Sequence, residues 1–195
     1  MNELFPIFLK LHELQTLVVG GGPVALEKLQ AIVYNSPQAK VRVIAKEYSK
    51  ETQEFLVAQP HLQWRTKDWE PEDLEEIDLV ILATNNPKLN QTVRALSREK
   101  HLLINVADKP ALCDFYLSSV VRKGNLKLAI STNGKSPTMA KRLKEIFSDL
   151  LPEEIDEALD LLQTYRNQLK GDFKHKVETL NAHTLAVLKG NDTRF

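Results

Sequence analysis

The chain has little of several things, and each shortage excludes a class of protein. It has one cysteine, Cys113, among 195 residues, so it can form no internal disulfide and no cysteine-rich metal site. Its 26 basic and 26 acidic side chains cancel, which argues against a general attraction to nucleic acid or anionic membranes. No apolar run approaches the roughly 18 residues of a membrane-spanning helix, and the N-terminus has an acid and a proline where a signal peptide has lysines. We therefore expect a cytoplasmic protein without nucleic-acid or membrane partners.

What the chain does contain is an alternation of apolar strands and amphipathic helices. Strands are predicted at residues 16–21, 40–46, 62–69, 78–85 and 101–108. Helices are predicted at residues 23–35, about 51–58 and about 87–99. This alternation predicts the α/β class, with a Rossmann-like doubly wound parallel sheet over residues 1–112.

The pattern changes after residue 112. Two short strands at 117–124 and 126–132, joined at Gly124-Asn125, predict a hairpin, and Ser136-Pro137 then begins a helix. We assign residues 113–150 to a small mixed α/β segment. Residues 151–195 form a helical C-terminal segment with two predicted helices, whose apolar positions run from Ile155 to Leu169 and from Val177 to Leu188.

A glycine-rich loop follows the first predicted strand. Gly20, Gly22 and Ala25 match G-x-G-x-x-G/A, in which the first glycine makes a tight turn, the second admits a pyrophosphate, and the third small residue lets helix pack on strand. The alternative is a bare structural turn, but the loop ends a strand and opens a helix, as the motif requires. The predicted cofactor-binding residues of this loop are Gly20, Gly21, Gly22, Pro23, Val24 and Ala25.

The end of the second predicted strand leaves the choice of cofactor open. An acid is expected there to hold the ribose hydroxyls of NAD, and the residues present are Ala45, Lys46 and Glu47. Glu47 serves if the strand runs one residue longer, whereas Lys46 equally favours the 2′-phosphate of NADP. We take these three residues as cofactor-binding, with NAD as the cofactor and NADP not excluded.

Polar residues also end the fourth and fifth predicted strands. Thr84, Asn85 and Asn86 could line the cofactor's ribose, although a helix cap explains Asn86 and perhaps Asn85 as well. Val106 is assigned to the cofactor and Asp108 to catalysis, as a general base, as a group that orients the substrate, or as a metal ligand. The alternative for Asp108 is a turn aspartate before Lys109-Pro110.

Residues 115–144 form a basic segment that contains seven lysines and arginines and no acid. It includes STNGKSP, a turn before a helix whose amides and hydroxyl could hold an anion. These features predict a substrate with several carboxylates or phosphates, and ordinary solvated lysines are the alternative. The predicted substrate-binding residues are Thr132, Asn133, Gly134, Lys135 and Ser136.

Four motifs together resemble a known family. They are LVVGGGPVALEK, ATNNPKLNQ, NVADKPALCDFY and LAISTNGKSPTMAKRL. In this order and spacing they resemble the precorrin-2 dehydrogenases of siroheme biosynthesis, including the N-terminal module of the siroheme synthases, over roughly residues 4–150. The length of the chain predicts a stand-alone form without a methyltransferase domain.

The resemblance implies an activity and an assembly. It implies NAD-dependent oxidation of precorrin-2 to sirohydrochlorin by a homodimer built through residues 113–150. Asp108 matches an aspartate implicated in dehydrogenation and, in bifunctional members, in metal insertion, so iron chelation stays open. Asn133 stands where many members have glycine, which puts the local turn geometry in question.

Two other functions fit the sequence less well. A regulatory domain that senses NAD(P) without catalysis predicts a clear ribose-binding acid and no basic segment, the opposite of what the sequence has. A short-chain dehydrogenase needs a Tyr-x-x-x-Lys pair, and none of the four tyrosines has a lysine at that spacing.

Overall fold

A computed structural model describes residues 2–169, 174–175, 177–179 and 181–182. The chain divides into two compact units. The first holds the chain up to Ser118 together with Asn133–Lys135, and the second holds Ser119–Thr132 and the described residues from Ser136 onward. Within the described ranges, no helix has the length and apolar character needed to cross a membrane.

The first unit contains a five-stranded parallel sheet with helices between its strands. The strands are β1 (Gln15–Val19), β2 (Lys40–Ala45), β3 (Gln63–Thr66), β4 (Leu79–Leu82) and β5 (Leu103–Val106). The helices are α1 (Pro23–Asn35), α2 (Lys50–Val57) and α3 (Pro87–Glu99), with short 3-10 turns at Pro71–Leu74 and Pro110–Leu112. The predicted α/β class is confirmed. The predicted fourth and fifth strands extend too far, because residues 83–85 and 107–108 lie in turns beyond the strand ends.

The sheet is buried on both faces because β4 is apolar at every position and β1 is apolar from Leu17 to Val19. All of β4 is buried, and along β1 the residues alternate between two cores. Leu17 and Val19 belong to one hydrophobic cluster and Val18 to the other. Continuous burial of this kind is typical of a parallel sheet covered by helices on each side.

The order of the strands locates the edge where a ligand is expected. The order is β3-β2-β1-β4-β5, so the connections run outward from β1 in one direction and then reverse at β4. Val19 pairs with Ile44 on one side and with Leu82 on the other. In sheets of this type ligands bind beyond the carboxyl ends of the strands at the reversal, which here lies between β1 and β4.

The second unit begins with an antiparallel hairpin of β6 (Ser119–Lys123) and β7 (Leu126–Ile130). The hairpin was predicted, and it is confirmed. Two helices follow, α4 (Pro137–Leu150) and α5 (Ile155–Gln168). The further predicted helix includes Val177, which is helical in the structure, whereas Leu180, Val187 and Leu188 lie outside the described residues.

Candidate functional site

The chain turns away from β1 at Gly20. A glycine is required there because the surrounding protein atoms leave no room for a side chain. Its φ is +132°, a value that side-chain-bearing residues rarely adopt. Its N–H donates to the carbonyl of Ile44 at 2.9 Å. A Cβ added at this position would overlap the carbonyl oxygen of Ala83. The loop is therefore held between the ends of β2 and β4.

Gly21 and Gly22 differ in what surrounds them. A Cβ at Gly21 would overlap the carbonyl oxygen of Glu47 and lie 2.9 Å from the Cβ of Ala45. A Cβ at Gly22 would meet no atom of the described chain within 4 Å. Protein atoms thus fill the space beside Gly21, whereas the space beside Gly22 is open to a ligand.

The first turn of α1 offers backbone donors to that open space. Gly22 is the N-cap, Pro23 is the first helical residue, and no side chain caps the helix. Among the described residues, no group accepts a hydrogen bond from the amides of Gly22, Val24 or Ala25. The first turn holds no acid, and the N-terminus of a helix carries partial positive charge. These residues fit the pyrophosphate of a dinucleotide.

The turn after β2 contains both candidates for the ribose contact. Lys46 is exposed, and its ammonium lies 2.6 Å from the carboxylate of Asp68. The hydrogen bond to Asp68 raises the pKa of Lys46. Glu47 is also exposed, and its carboxylate has no ion-pair partner in the part of the chain that the structure describes. The turn thus presents an unpaired carboxylate beside a lysine whose charge is already balanced.

The three polar residues after β4 have different roles. Asn86 accepts hydrogen bonds from the amides of Lys88 at 3.1 Å and Leu89 at 3.2 Å, so its side chain caps α3. The Thr84 hydroxyl donates to the side chain of Asn90 at 2.7 Å. Asn85 is exposed and makes no hydrogen bond with the described residues. Its amide is therefore available to a ligand.

Asp108 lies in the loop after β5, beyond the buried Val106. Its φ is +57°, a left-handed conformation that aspartate tolerates better than most residues. The amide of Ala107 donates to the carbonyl of Leu82 at 2.9 Å, which joins this loop to the end of β4. Asp108 is exposed and belongs to no group of three or more metal-ligating side chains among the described residues. Its carboxylate is free to meet a substrate.

Partly buried polar contacts tie the loop that follows Asp108 to the body of the sheet. Arg94 and Asp114 form a two-pronged ion pair, with 2.7 Å between Nη2 and Oδ1. Asp114 also accepts from the amide of Ile104 at 3.2 Å. The thiol of Cys113 accepts from the amide of Val106 at 3.2 Å. These contacts hold the far end of the loop and leave Asp108 exposed near its start.

The charge states of these three side chains indicate a structural role. Arg94 holds the pKa of the Asp114 carboxyl below its usual range, and Asp114 raises the pKa of Arg94 in turn. Burial raises the pKa of Cys113. Both members of the ion pair are charged at neutral pH, and the thiol stays protonated, so Cys113 is not an activated nucleophile.

The turn before α4 uses its hydroxyls internally. The Thr132 hydroxyl accepts from the amide of Ser136 at 3.2 Å and donates to its carbonyl at 3.1 Å. The Ser136 hydroxyl accepts from the amide of Met139 at 3.1 Å and caps the helix. Asn133 and Gly134 both have positive φ, +54° and +74°. Asparagine tolerates this conformation, so Asn133 is compatible with the turn, where the resemblance suggested glycine.

The cations of the basic segment are partly neutralised from outside it. Lys123 pairs with Glu153, and Arg142 lies 3.8 Å from Glu145. Lys135 and Lys141 are exposed and have no ion-pair partner among the described residues. The charges of these two lysines are therefore not balanced by the described part of the chain.

The structure also reveals polar residues that were not predicted. Asn90 and Arg94 are buried on α3, 3% and 8% exposed, and Arg94 pairs with Asp114. The signal in the sequence was weak but present, because positions 90, 94 and 97 share the helical spacing of the apolar Val93. Polar residues on an apolar stripe indicate specific partners.

A parallel sheet in this order, with a glycine loop at its reversal point, defines a nucleotide-binding protein of the Rossmann type. A model of the NAD(P)-binding family matches residues 7–119, and a model described as sirohaem biosynthesis protein central matches residues 123–150. The chain belongs to this NAD(P)-binding family. The resemblance predicted from the four motifs is confirmed.

The named relatives include siroheme synthases. The chain is 36% identical over 168 residues to a siroheme synthase of Baumannia cicadellinicola and 32% identical over 168 residues to one of Zymomonas mobilis. Each alignment covers 86% of this chain but only 36% and 35% of the relative, so the chain spans about a third of these proteins. A solved structure titled SirC, precorrin-2 dehydrogenase, matches with a TM-score of 0.72 and 27% identity, over 92% of this chain and 88% of that one.

Proposed function

We propose that this chain oxidises precorrin-2 to sirohydrochlorin in siroheme biosynthesis, with NAD as the hydride acceptor. The observation that carries the proposal is the match to a precorrin-2 dehydrogenase over nine tenths of the chain at a TM-score of 0.72. The open space beside Gly22, at the start of α1, fits the cofactor that such a reaction needs. Bound NAD supplies a nicotinamide that accepts a hydride from the reduced macrocycle.

The chain's own contribution is to position the reactants and to accept a proton. Oxidation removes a hydride and a proton from the substrate, and the exposed carboxylate of Asp108 is the proposed acceptor for that proton. The contacts of Asp114 and Cys113 at the base of the loop support this role, because a general base acts efficiently only when its position is held.

NAD is the proposed cofactor in preference to NADP. Asp68 already neutralises Lys46, and Glu47 presents a second carboxylate at the same turn. This local excess of negative charge favours ribose hydroxyls over a 2′-phosphate. Asp68→Ala should release Lys46 and tighten NADP binding, while the affinity for NAD stays unchanged. Isothermal titration with both nucleotides measures this, and equal NAD and NADP affinities in the wild type would contradict it.

The basic segment is proposed to bind the carboxylates of the tetrapyrrole. Two exposed lysines without acid partners among the described residues, Lys135 and Lys141, support this, as does a turn with two left-handed residues. The proposed substrate-binding residues remain Thr132 to Ser136. Because Thr132 and Ser136 use their hydroxyls internally, and the amide and carbonyl of Ser136 are bonded to Thr132, these two residues are proposed to contribute by shaping the turn that carries Lys135.

A homodimer built through residues 113–150 is also proposed. The apolar side chains of α4 are largely uncovered in a single chain: Met139, Ile146 and Leu150 are 53%, 58% and 71% exposed. A surface of this kind is typical of an interface. Light scattering on the wild type should give twice the mass of one chain, and Ile146→Glu should give monomers. A monomeric wild type would contradict this.

The deciding experiment is an anaerobic assay with precorrin-2 and either NAD or NADP. The absorbance change to sirohydrochlorin should require the nucleotide and should be lost in Asp108→Ala. Nucleotide binding without any spectral change would instead favour the regulatory NAD(P)-sensing domain. Addition of ferrous or cobaltous ion after the oxidation tests chelation, which counts as enzymatic only if it exceeds the rate without protein.

A further inference from the structure

Helix α3 carries a buried amide that is bonded entirely to the turn after β4. Asn90 is 3% exposed. Its Oδ1 accepts from the Thr84 hydroxyl at 2.7 Å, and its Nδ2 donates to the Thr84 carbonyl at 3.3 Å. The Thr84 hydroxyl also accepts from the amide of Asn86 at 3.3 Å. One side chain therefore holds the turn through both its oxygen and its nitrogen.

The turn that Asn90 holds is part of the proposed nucleotide site. Ala83, one residue before Thr84, supplies the carbonyl that a Cβ at Gly20 would overlap, so the turn and the glycine loop are in direct contact. A displacement of this turn would change the space into which the glycine loop opens. Packing alone would not explain the choice of residue, because a leucine at position 90 would bury apolar surface without the cost of a buried amide.

We infer that Asn90 is a positioning residue for the dinucleotide, and that Thr84 serves the site through its backbone while its hydroxyl is committed to Asn90. The inference rests on the proposed use of this edge for NAD. It reassigns Thr84 from a residue whose side chain contacts the cofactor to one that shapes the turn. The exposed Asn85 is then the side chain of this turn that can reach the ribose.

The test compares NAD affinity with the stability of the free protein. Asn90→Leu and Thr84→Val each remove the contact, and each should weaken NAD binding by about threefold to tenfold, the fold-change that one net hydrogen bond corresponds to. Thr84→Ser keeps the hydroxyl and should bind as the wild type does. The KM for NAD should rise while kcat at saturating NAD changes little.

Ser97→Ala is the matched control. Ser97 lies on the same helix, is fully buried, and its hydroxyl has no partner in the described chain. Its substitution should leave NAD affinity unchanged, whatever it does to the melting temperature. If Asn90→Leu does not fold, Asn90→Gln, which keeps the amide but displaces it, and Thr84→Val carry the test.

Three results distinguish the possibilities. A lower melting temperature with unchanged NAD affinity in both contact-breaking variants would overturn the inference and leave a purely structural role. Loss of affinity in Thr84→Val but not in Asn90→Leu would mean that the hydroxyl itself binds the cofactor, which would also overturn it. A wild type that binds no nucleotide would refute the proposed function instead.

Discussion

Replacement of Gly22 by aspartate should distinguish cofactor binding from folding. The stability of the free protein should increase, whereas the affinity for the dinucleotide should decrease. Gly22 is the N-cap of α1 with φ −93° and ψ −171°, an extended conformation that any residue adopts. A Cβ there meets no described atom within 4 Å. Aspartate is among the best N-caps and also favours the positive end of the helix, so Gly22→Asp should stabilise the free protein by about 0.5–1 kcal/mol. The melting temperature should rise by about 1–4 °C.

The same substitution should abolish binding of the dinucleotide. The new carboxylate occupies the space proposed for the pyrophosphate and adds negative charge beside it. Two unit charges 4 Å apart repel by about 4 kcal/mol near a protein surface. Even half of that energy weakens binding by more than about tenfold, and the lost volume adds to the effect.

The assay pairs thermal unfolding of the free protein with titration of NAD. Gly20→Ala is the contrasting variant, because its Cβ would overlap the Ala83 carbonyl and its φ of +132° is unfavourable for alanine. We expect it to lose about 3 kcal/mol of stability. NAD affinity within about threefold of the wild type in Gly22→Asp would refute the proposed position of the pyrophosphate. A marked loss of stability in that variant would refute the open geometry of the loop.

Three further predictions concern the loop after β5 and the helix cap of the second unit. Asp114→Asn leaves Arg94 buried without its counter-ion and should cost about 2–4 kcal/mol in urea unfolding at neutral pH. Because pairing lowers the pKa of Asp114, the contribution of the pair should be constant above the ordinary carboxyl pKa of 3.8 and decline only below it; a decline between pH 7 and 5 would contradict this. Asp108→Asn should lower kcat while titration shows unchanged NAD affinity, and an unchanged kcat would remove Asp108 from the mechanism. Ser136→Ala should cost about 1 kcal/mol in thermal unfolding through the lost N-cap of α4, and no change would mean that water replaces the cap.

The fold could be predicted from the sequence because its signals are local. The apolar runs of β1 and β4 are continuous, since both faces of a parallel sheet are covered. Proline begins α1, α3 and α4, and the pattern of turns and helices follows from these residues. The ends of the strands were predicted less accurately. Hydrogen bonding to neighbouring strands decides where a strand ends, and composition alone does not determine this.

The same distinction between local and non-local signals applies to the candidate site. The tight turn at Gly20 could be predicted because the motif requires a glycine there, and the structure adds that Gly20 and Gly21 meet protein atoms while Gly22 meets open space. For Asn86 the sequence left two interpretations, and its hydrogen bonds support the cap. Capping depends only on neighbours in the chain, so this alternative could be foreseen but not decided.

The contacts of α3 could not be predicted, because no local pattern pairs Asn90 with Thr84, six residues away, or Arg94 with Asp114, twenty residues away. Asn90 and Arg94 lie one helical turn apart, and each reaches a different loop: Asn90 holds Thr84 after β4, and Arg94 holds Asp114 after β5. A buried amide and a buried guanidinium are costly unless each finds its partner, so these residues oppose any displacement of either loop. The two loops that carry the candidate ribose contact and the candidate base are thus anchored to one rigid helix, and a change in the register of α3 would move both.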